Sequence, residues 1–269
     1  MKEKISVIGS GWLGFPLAKY LISEGFIVKG STTSNDKLAL LKKHHIDGYL
    51  VHLNETEISG NYADFLNDSE IVIINIPPGL RRHPNKNHTN EIRHLVSAIE
   101  DHNIKNVLYV SSTSVFNDET HFPEIDDSTI ANTTSRNGKQ LIEIEQMLQN
   151  NSKFNTIILR FGGLFDEERH PAIFLSGRKN ITNPDAPINL IHKEDCIQII
   201  TTIIKNKIWN VSINAVHPNH PNKKTYYSAY CKRQNIPLPE FNISEKSKGK
   251  IINNSNLVQL LNYTFKQVP

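Results

Sequence analysis

The sequence predicts an α/β fold with a doubly wound parallel sheet, and three observations carry that prediction. Short apolar runs alternate with segments of helical period from Lys4 to Phe161. A glycine cluster, Gly9-Ser10-Gly11-Trp12-Leu13-Gly14, follows the first run directly. One run, Glu70 to Ile76, is almost wholly apolar, as expected of a central parallel strand covered on both faces. Right-handed crossovers place such strands in a single sheet.

Ile5, Val7 and Ile8 read as the first strand, and Phe15 to Ser23 as the first helix. Strand, G-x-G-x-x-G loop and helix in that order are the context of a dinucleotide fingerprint. Gly9 permits the tight turn, Gly11 lets a pyrophosphate approach the backbone, and Gly14 lets helix and strand pack closely. Ser10, Trp12 and Leu13 complete the loop and join the candidate cofactor contacts. The helix then turns its orphan N–H groups and positive dipole end toward the phosphates.

Phe26 to Gly30 is the second strand, ending in Ser31-Thr32-Thr33-Ser34. An NAD-preferring site carries an acid about 20 residues after the glycine loop, bonded to the ribose. No acid stands between Val28 and Asn35. Hydroxyls at Ser31, Thr32 and Thr33, with Lys37 nearby, suit a 2′-phosphate better, so NADP is preferred over NAD. The same hydroxyls also suit a solvated helix cap.

Asn35 to His44 is a helix with Leu38, Ala39 and Leu41 at helical spacing, and Gly48 to Leu53 a third strand. The run ending at Ile76 stops at Pro77-Pro78-Gly79, which cannot continue a ladder. Ile76 and Pro77 are thereby candidate walls of the cofactor site. Arg81-Arg82-His83-Pro84 follows, either as a solvated loop or as a meeting point for an anion. Asn87 to His102 is a helix with Ile92, Leu95, Val96 and Ile99 on one face. Val107 to Val110 is the next strand, leading into Ser111-Ser112-Thr113-Ser114. Gln140 to Gln149 is a helix with Leu141, Ile144 and Leu148 facing inward, and Phe154 to Phe161 a further strand.

The remainder is less regular: a strand-like piece from Ala186 to His192, helices Glu194–Ile204, Tyr226–Asn235 and Asn254–Leu261, and a strand Val211–Val216. Residues 1–165 are expected to form the dinucleotide-binding core. Residues 166–269 are expected to complete it and to build a small substrate-side cap within one structural domain.

Composition narrows the function. The 269 residues carry a net charge of +3 from dispersed lysines, with no basic stripe for nucleic acid. No apolar run approaches the roughly 18 residues needed to span a bilayer, and the first residues lack a signal-peptide pattern. Two cysteines, Cys196 and Cys231, offer neither a disulfide framework nor metal spacing and suit a reducing cytoplasm. The expected partner is a small-molecule substrate, with no nucleic acid, membrane or metal.

Together these motifs resemble the short-chain dehydrogenases/reductases, in particular their extended, epimerase/dehydratase-like branch with its Rossmann-type sheet. The resemblance runs from Ile5 to Phe265. Ser111-Ser-Thr-Ser-Val-Phe116 resembles the strand end carrying the family's active-site hydroxyl, which falls on Ser112 and makes Ser111 a neighbouring cofactor contact. Leu159 to Phe165 resembles the sixth strand and its substrate-side loop, and Asn189 to Asp195 the late Ile-His-x-x-Asp element. The family's Tyr-x-x-x-Lys pair meets Ser135-x-x-x-Lys139 here. The i, i+4 spacing keeps both side chains on one helix face, and the resemblance gives Lys139 the role of holding the nicotinamide ribose. The phenol is missing. A serine hydroxyl is far less acidic and reaches less far, so Ser135 is no simple replacement. Candidates for another acid are His170, Asp166 and His192. The resemblance implies a sugar or nucleotide-sugar substrate and a homodimer through the helices around Asn87–His102 and Gln140–Gln149. Two readings follow: an NAD(P)-dependent oxidoreductase or epimerase with a relocated proton donor, or a non-catalytic NAD(P)-binding sensor.

Overall fold

The computed structural model describes residues 2–80 and 83–268. Arg81 and Arg82, the basic pair singled out in the sequence, lie outside the described residues. In chain order the elements are β1 (Lys4–Ile8), α1 (Gly14–Ser23), β2 (Ile27–Thr32), α2 (Asn35–Lys43), β3 (Asp47–Leu53), β4 (Ile58–Gly60) and α3 (Tyr62–Leu66). There follow β5 (Ile71–Ile74), α4 (His88–Asp101), β6 (Asn106–Ser112), a 3-10 turn (Thr113–Val115), β7 (Glu124–Ile125), α5 (Arg136–Gln149) and β8 (Asn155–Phe161). The chain ends with β9 (Gly163–Phe165), α6 (Pro171–Leu175), β10 (Leu190–His192), α7 (Lys193–Lys205), β11 (Val211–Ala215), α8 (Lys223–Arg233), β12 (Ile251–Ile252) and α9 (Ser255–Leu261).

Eight strands form one sheet in the order β11-β8-β6-β5-β1-β2-β3-β4. β1 pairs in parallel with both β2 and β5, while the short edge strand β4 runs antiparallel to β3. Strand order therefore reverses at β1, with β2 and β3 on one side and β5 and β6 on the other. That reversal is a topological switch point, the position where open α/β sheets bind ligands. The glycine loop leaves the carboxyl end of this strand.

The chain divides into two compact units. The first comprises Met1–Ser112, Ser135–Leu159 and Ile200–Ser212, and the second Thr113–Thr134, Arg160–Ile199 and Ile213–Pro269. In the first unit Ile5, Val7 and Ile8 of β1, all of β5 and Val107 to Tyr109 of β6 are buried. Burial on both faces accounts for their near-continuous apolar character. Helix α4 buries Ile92, Leu95, Val96 and Ile99, and α5 buries Leu141, Ile144 and Leu148, the faces their period predicts. Of the three apolar positions predicted for α2, only Leu41 is buried.

Strand β4 and helix α3, three and five residues long, are absent from the sequence reading. They explain why Lys29 lies buried within β2. Its ammonium donates to the carbonyl oxygens of Asp64 and Asn67 at 2.8 and 2.5 Å, at the carboxyl end of α3. A cation there satisfies orphan carbonyls and complements the helix dipole.

The second unit is joined by short parallel pairings, β9 with β10 and β7 with β12. Asp195, in the late Ile-His-x-x-Asp element, holds the C-terminal segment. It accepts from Tyr263 Oη at 2.7 Å and from the backbone N–H of Lys266 at 3.0 Å. This element thus has a structural role within its own unit.

Candidate cofactor site

The glycine loop is closed at both ends and open in the middle. Gly9 has φ +99°, and a Cβ there would stand 2.4 Å from the Asn75 carbonyl oxygen. A Cβ on Gly14 would stand 2.1 Å from the Gly9 carbonyl oxygen. Gly11 is different: it is exposed, and a Cβ there would meet nothing within 4 Å. The loop is braced by Gly11 N–H donating to Gly9 O at 2.8 Å and by Ser10 N–H donating to Ser31 O at 3.0 Å. Leu13 is the N-cap of α1, and no side chain caps the helix start. Ser10 Oγ is buried without a hydrogen-bond partner among the described residues. Backbone approach at Gly11 beside an uncapped helix N-terminus fits a dinucleotide pyrophosphate.

Other residues divide between lining the site and building it. Ser31 Oγ accepts from Gly9 N–H at 3.0 Å, and Thr32 Oγ1 accepts from Ser34 N–H at 3.1 Å; both residues are buried. Their hydroxyls fasten the end of β2 to the loop and shape the turn into α2. Thr33 and Lys37 are exposed. Ile76 is half-buried and Pro77 exposed, just beyond β5. Trp12 is half-buried within the loop, and Leu13 is buried at the start of α1. Asn75 stands out as a residue the sequence reading passed over. Its Nδ2 donates to Gly9 O at 3.2 Å, and its backbone N–H donates to Ile8 O at 3.0 Å. The signal was present as the polar residue in an otherwise apolar run.

At the end of β6, Ser111 Oγ donates to the buried carboxylate of Glu145 on α5 at 2.6 Å. That bond fixes the strand end beside Ser112, which is half-buried. Ser135 is the N-cap of α5, its Oγ accepting from Gly138 N–H at 3.2 Å. Lys139, one turn on, is exposed. Tyr109 lies wholly buried in β6, as its strand position predicts.

In the second unit, Asp166 is buried and paired with Lys193, and Asp166 Oδ1 accepts from Arg169 N–H at 2.7 Å. His192 is buried, with Nδ1 accepting from Glu194 N–H at 3.2 Å and Nε2 3.3 Å from a Glu167 carboxylate oxygen. His170 is the N-cap of α6, ahead of Pro171. Its Nδ1 accepts from Ala172 N–H at 3.2 Å, and its Nε2 lies 2.8 Å from Tyr226 Oη. Burial, with the nearby Arg233 charge, lowers its pKa to about 4.

A sequence model of a family described as NAD(P)H-binding matches residues 9–207. The chain belongs to the NAD(P)H-binding family. The match begins on Gly9 and takes in β5, β6 and Lys139. Protein YeeZ of Escherichia coli K12 is 30% identical over 268 residues, covering 98% of this chain and 96% of YeeZ. UDP-N-acetylglucosamine 4-epimerase from Bacillus cereus superposes with a TM-score of 0.78 at 15% identity, covering 99% of this chain and 92% of that one. A short-chain dehydrogenase/reductase superfamily protein from Agrobacterium tumefaciens, solved with bound NAD, gives a TM-score of 0.75 at 14% identity, covering 99% and 93%. This member of the NAD(P)H-binding family therefore shares the fold of the epimerases and short-chain dehydrogenases its motifs resemble. Among its described residues, no helix is long and apolar enough to cross a membrane.

Proposed function

We propose that this chain is an NAD(P)-dependent oxidoreductase or epimerase acting on a sugar or nucleotide-sugar, with NADP preferred and without the usual catalytic phenol. The observation that carries the reading is the glycine loop, shut against backbone at Gly9 and Gly14 and open at Gly11. The B. cereus neighbour, named for UDP-N-acetylglucosamine, supports the substrate class. When bound, the nicotinamide cofactor supplies or accepts hydride. The chain's own residues bind and orient: the loop backbone around Gly11 holds the pyrophosphate, Ile76 and Pro77 wall the nucleoside, and Lys139 holds ribose hydroxyls. Ser112 hydrogen-bonds the substrate oxygen, with Ser135 as the further candidate in the catalytic set. The reading is tested by titrating cofactor-free protein with NADPH and NADH and then assaying a panel of sugars and carbonyl compounds. Failure to bind either cofactor ends it.

The preference for NADP rests on Thr33 and Lys37, exposed beyond a strand end that lacks an acid. A lysine beside a 2′-phosphate contributes a charge-assisted hydrogen bond. Lys37→Ala should therefore weaken NADPH about tenfold, equivalent to about 1.4 kcal/mol, and leave NADH nearly unchanged. Quenching of Trp12 fluorescence reads both affinities. Equal loss for the two cofactors would assign Lys37 no part in selectivity.

The position of Ser135 favours a second reading, a non-catalytic NAD(P)-binding sensor. Its oxygen caps α5 where the resemblance calls for a phenol. Ser135→Tyr decides between the readings, at a cost of about 1 kcal/mol for the lost cap. Reductase activity appearing in the variant means that only the phenol is lacking. Tight cofactor binding with no hydride exchange in either protein supports the sensor.

We further infer a cytoplasmic protein that binds neither nucleic acid nor membrane and pairs as a homodimer through α4 and α5. The dispersed charge and the two buried free thiols of Cys196 and Cys231 support this placement.

A further inference from the structure

The second unit carries an oriented phenol that none of the cofactor chemistry uses. Ala172 N–H donates to His170 Nδ1, so that nitrogen bears a lone pair and the ring is neutral. The proton of the neutral imidazole must then sit on Nε2, and Nε2–H donates to Tyr226 Oη at 2.8 Å. The direction of this bond decides what Tyr226 can do. Its oxygen accepts, and its own proton remains available for an acceptor outside the described residues.

The surroundings hold the phenol in place. Tyr230 stacks on the His170 ring at 3.7 Å with an interplanar angle of 2°, and Phe165 meets the same ring edge-on at 5.5 Å. Tyr226, Tyr230 and Arg233 lie at i, i+4 and i+7 on α8, along one helix face. Arg233 is exposed, with its guanidinium 5.3 Å from the Tyr230 ring centroid, and no described carboxylate pairs with it. Burial pushes the Tyr226 pKa up to about 12, so the phenol keeps its proton. The Arg233 charge is felt at both Tyr226 and His170, and an O–H and a guanidinium on one helix face, neither with an acceptor among the described residues, are a pair of donors suited to a negatively charged oxygen.

We propose that Tyr226 and Arg233 form an oxyanion-binding site on α8, taking a phosphate or carboxylate group of a small-molecule ligand. His170 is its positioning residue, fixing the phenol oxygen so that the proton points outward. The site uses no residue of the glycine loop and does not depend on the cofactor reading.

The test uses the full-length, 15N-labelled protein, with the His170 ring nitrogens as local reporters. Inorganic phosphate and acetate are titrated separately in the presence of NADPH, which occupies the glycine loop if it binds there. The expected result is an Nε2–H tautomer at His170 and a saturable shift of that resonance with phosphate, acetate or both. The tighter of the two identifies the ligand group. Tyr226→Phe and Arg233→Gln should each weaken the response about tenfold, the usual cost of losing one hydrogen bond to a charged group. Arg233 is exposed, so its variant keeps the test available if Tyr226→Phe fails to fold. An Nδ1–H tautomer would overturn the inference, because Tyr226 would then be donating to His170. So would the absence of a shift with either anion, or an unchanged response in Arg233→Gln. NADPH binding, measured on the same samples, fails or succeeds independently.

Discussion

Gly11→Ala should abolish nicotinamide cofactor binding while leaving folding intact. The added methyl meets no protein atom within 4 Å, and Gly11 does not have a left-handed φ that would strain alanine. Its stability cost should stay within about 0.5 kcal/mol, as for other exposed substitutions. The methyl would instead occupy the space a pyrophosphate needs, and a loss of at least about a hundredfold in affinity, about 2.7 kcal/mol, is expected. Gly14→Ala should behave in the opposite way. Its methyl would stand 2.1 Å from the Gly9 carbonyl oxygen and 2.9 Å from Asn75 Nδ2. Backbone cannot yield as a flexible side chain can, so this variant should lose about 3 kcal/mol of stability. Urea unfolding and cofactor titration on the two variants separate the effects. A Gly11→Ala protein that binds NADPH normally would remove the loop from the cofactor site.

Acid should destabilise the protein through His170, and the sign follows from burial. Its folded pKa is near 4, against an ordinary value of 6.5. Above pH 6.5 the ring is neutral in both states, and the stabilising contribution is fully present. As pH falls from 6.5 toward 4, the unfolded chain takes up the proton that the folded chain refuses, and stability is lost. The loss from this group should reach roughly 2–3 kcal/mol near pH 4. Burial lowers the pKa values of His217 and His220 too, adding in the same direction. His170→Asn keeps a good N-cap residue ahead of Pro171 but removes the titrating ring. Its stability should vary less between pH 7 and 4, which chemical denaturation across that range would measure. An unchanged slope would show that His170 takes up its proton equally in both states.

Much of the first unit was legible because its signals are local. Val72 and Ile73 are buried on opposite faces of β5, so an unbroken apolar run marked a central strand. Ile92, Leu95, Val96 and Ile99 marked the inner face of α4 by spacing alone. Strand β4 and helix α3 escaped because segments of three and five residues carry too little period to read. Lys29 then looked like an ordinary charged strand residue, since the carbonyls that accept from it come 35 and 38 positions later.

The site follows the same division. The glycine loop announces itself because one short spacing encodes turn, phosphate approach and helix packing. Its clamp does not, because Asn75 reaches Gly9 across 66 positions of sequence. Ser31 and Thr32 read as hydroxyls facing a ligand, and each oxygen also accepts a backbone N–H group. A hydroxyl's partner is set by the fold, and composition cannot distinguish the two uses. The link between His170 and Tyr226 spans 56 positions and depends on which ring nitrogen the Ala172 N–H finds first. No sequence pattern records that choice.

Everything proposed for the site requires that the loop from Gly9 to Gly14 hold a nicotinamide dinucleotide. Isothermal titration of cofactor-free wild-type protein with NADPH, followed by NADH, tests it most directly. Saturable binding of one dinucleotide per chain is expected, tighter for NADPH and lost in Gly11→Ala. Absence of heat with both cofactors at millimolar concentration, from protein that unfolds cooperatively, would contradict it.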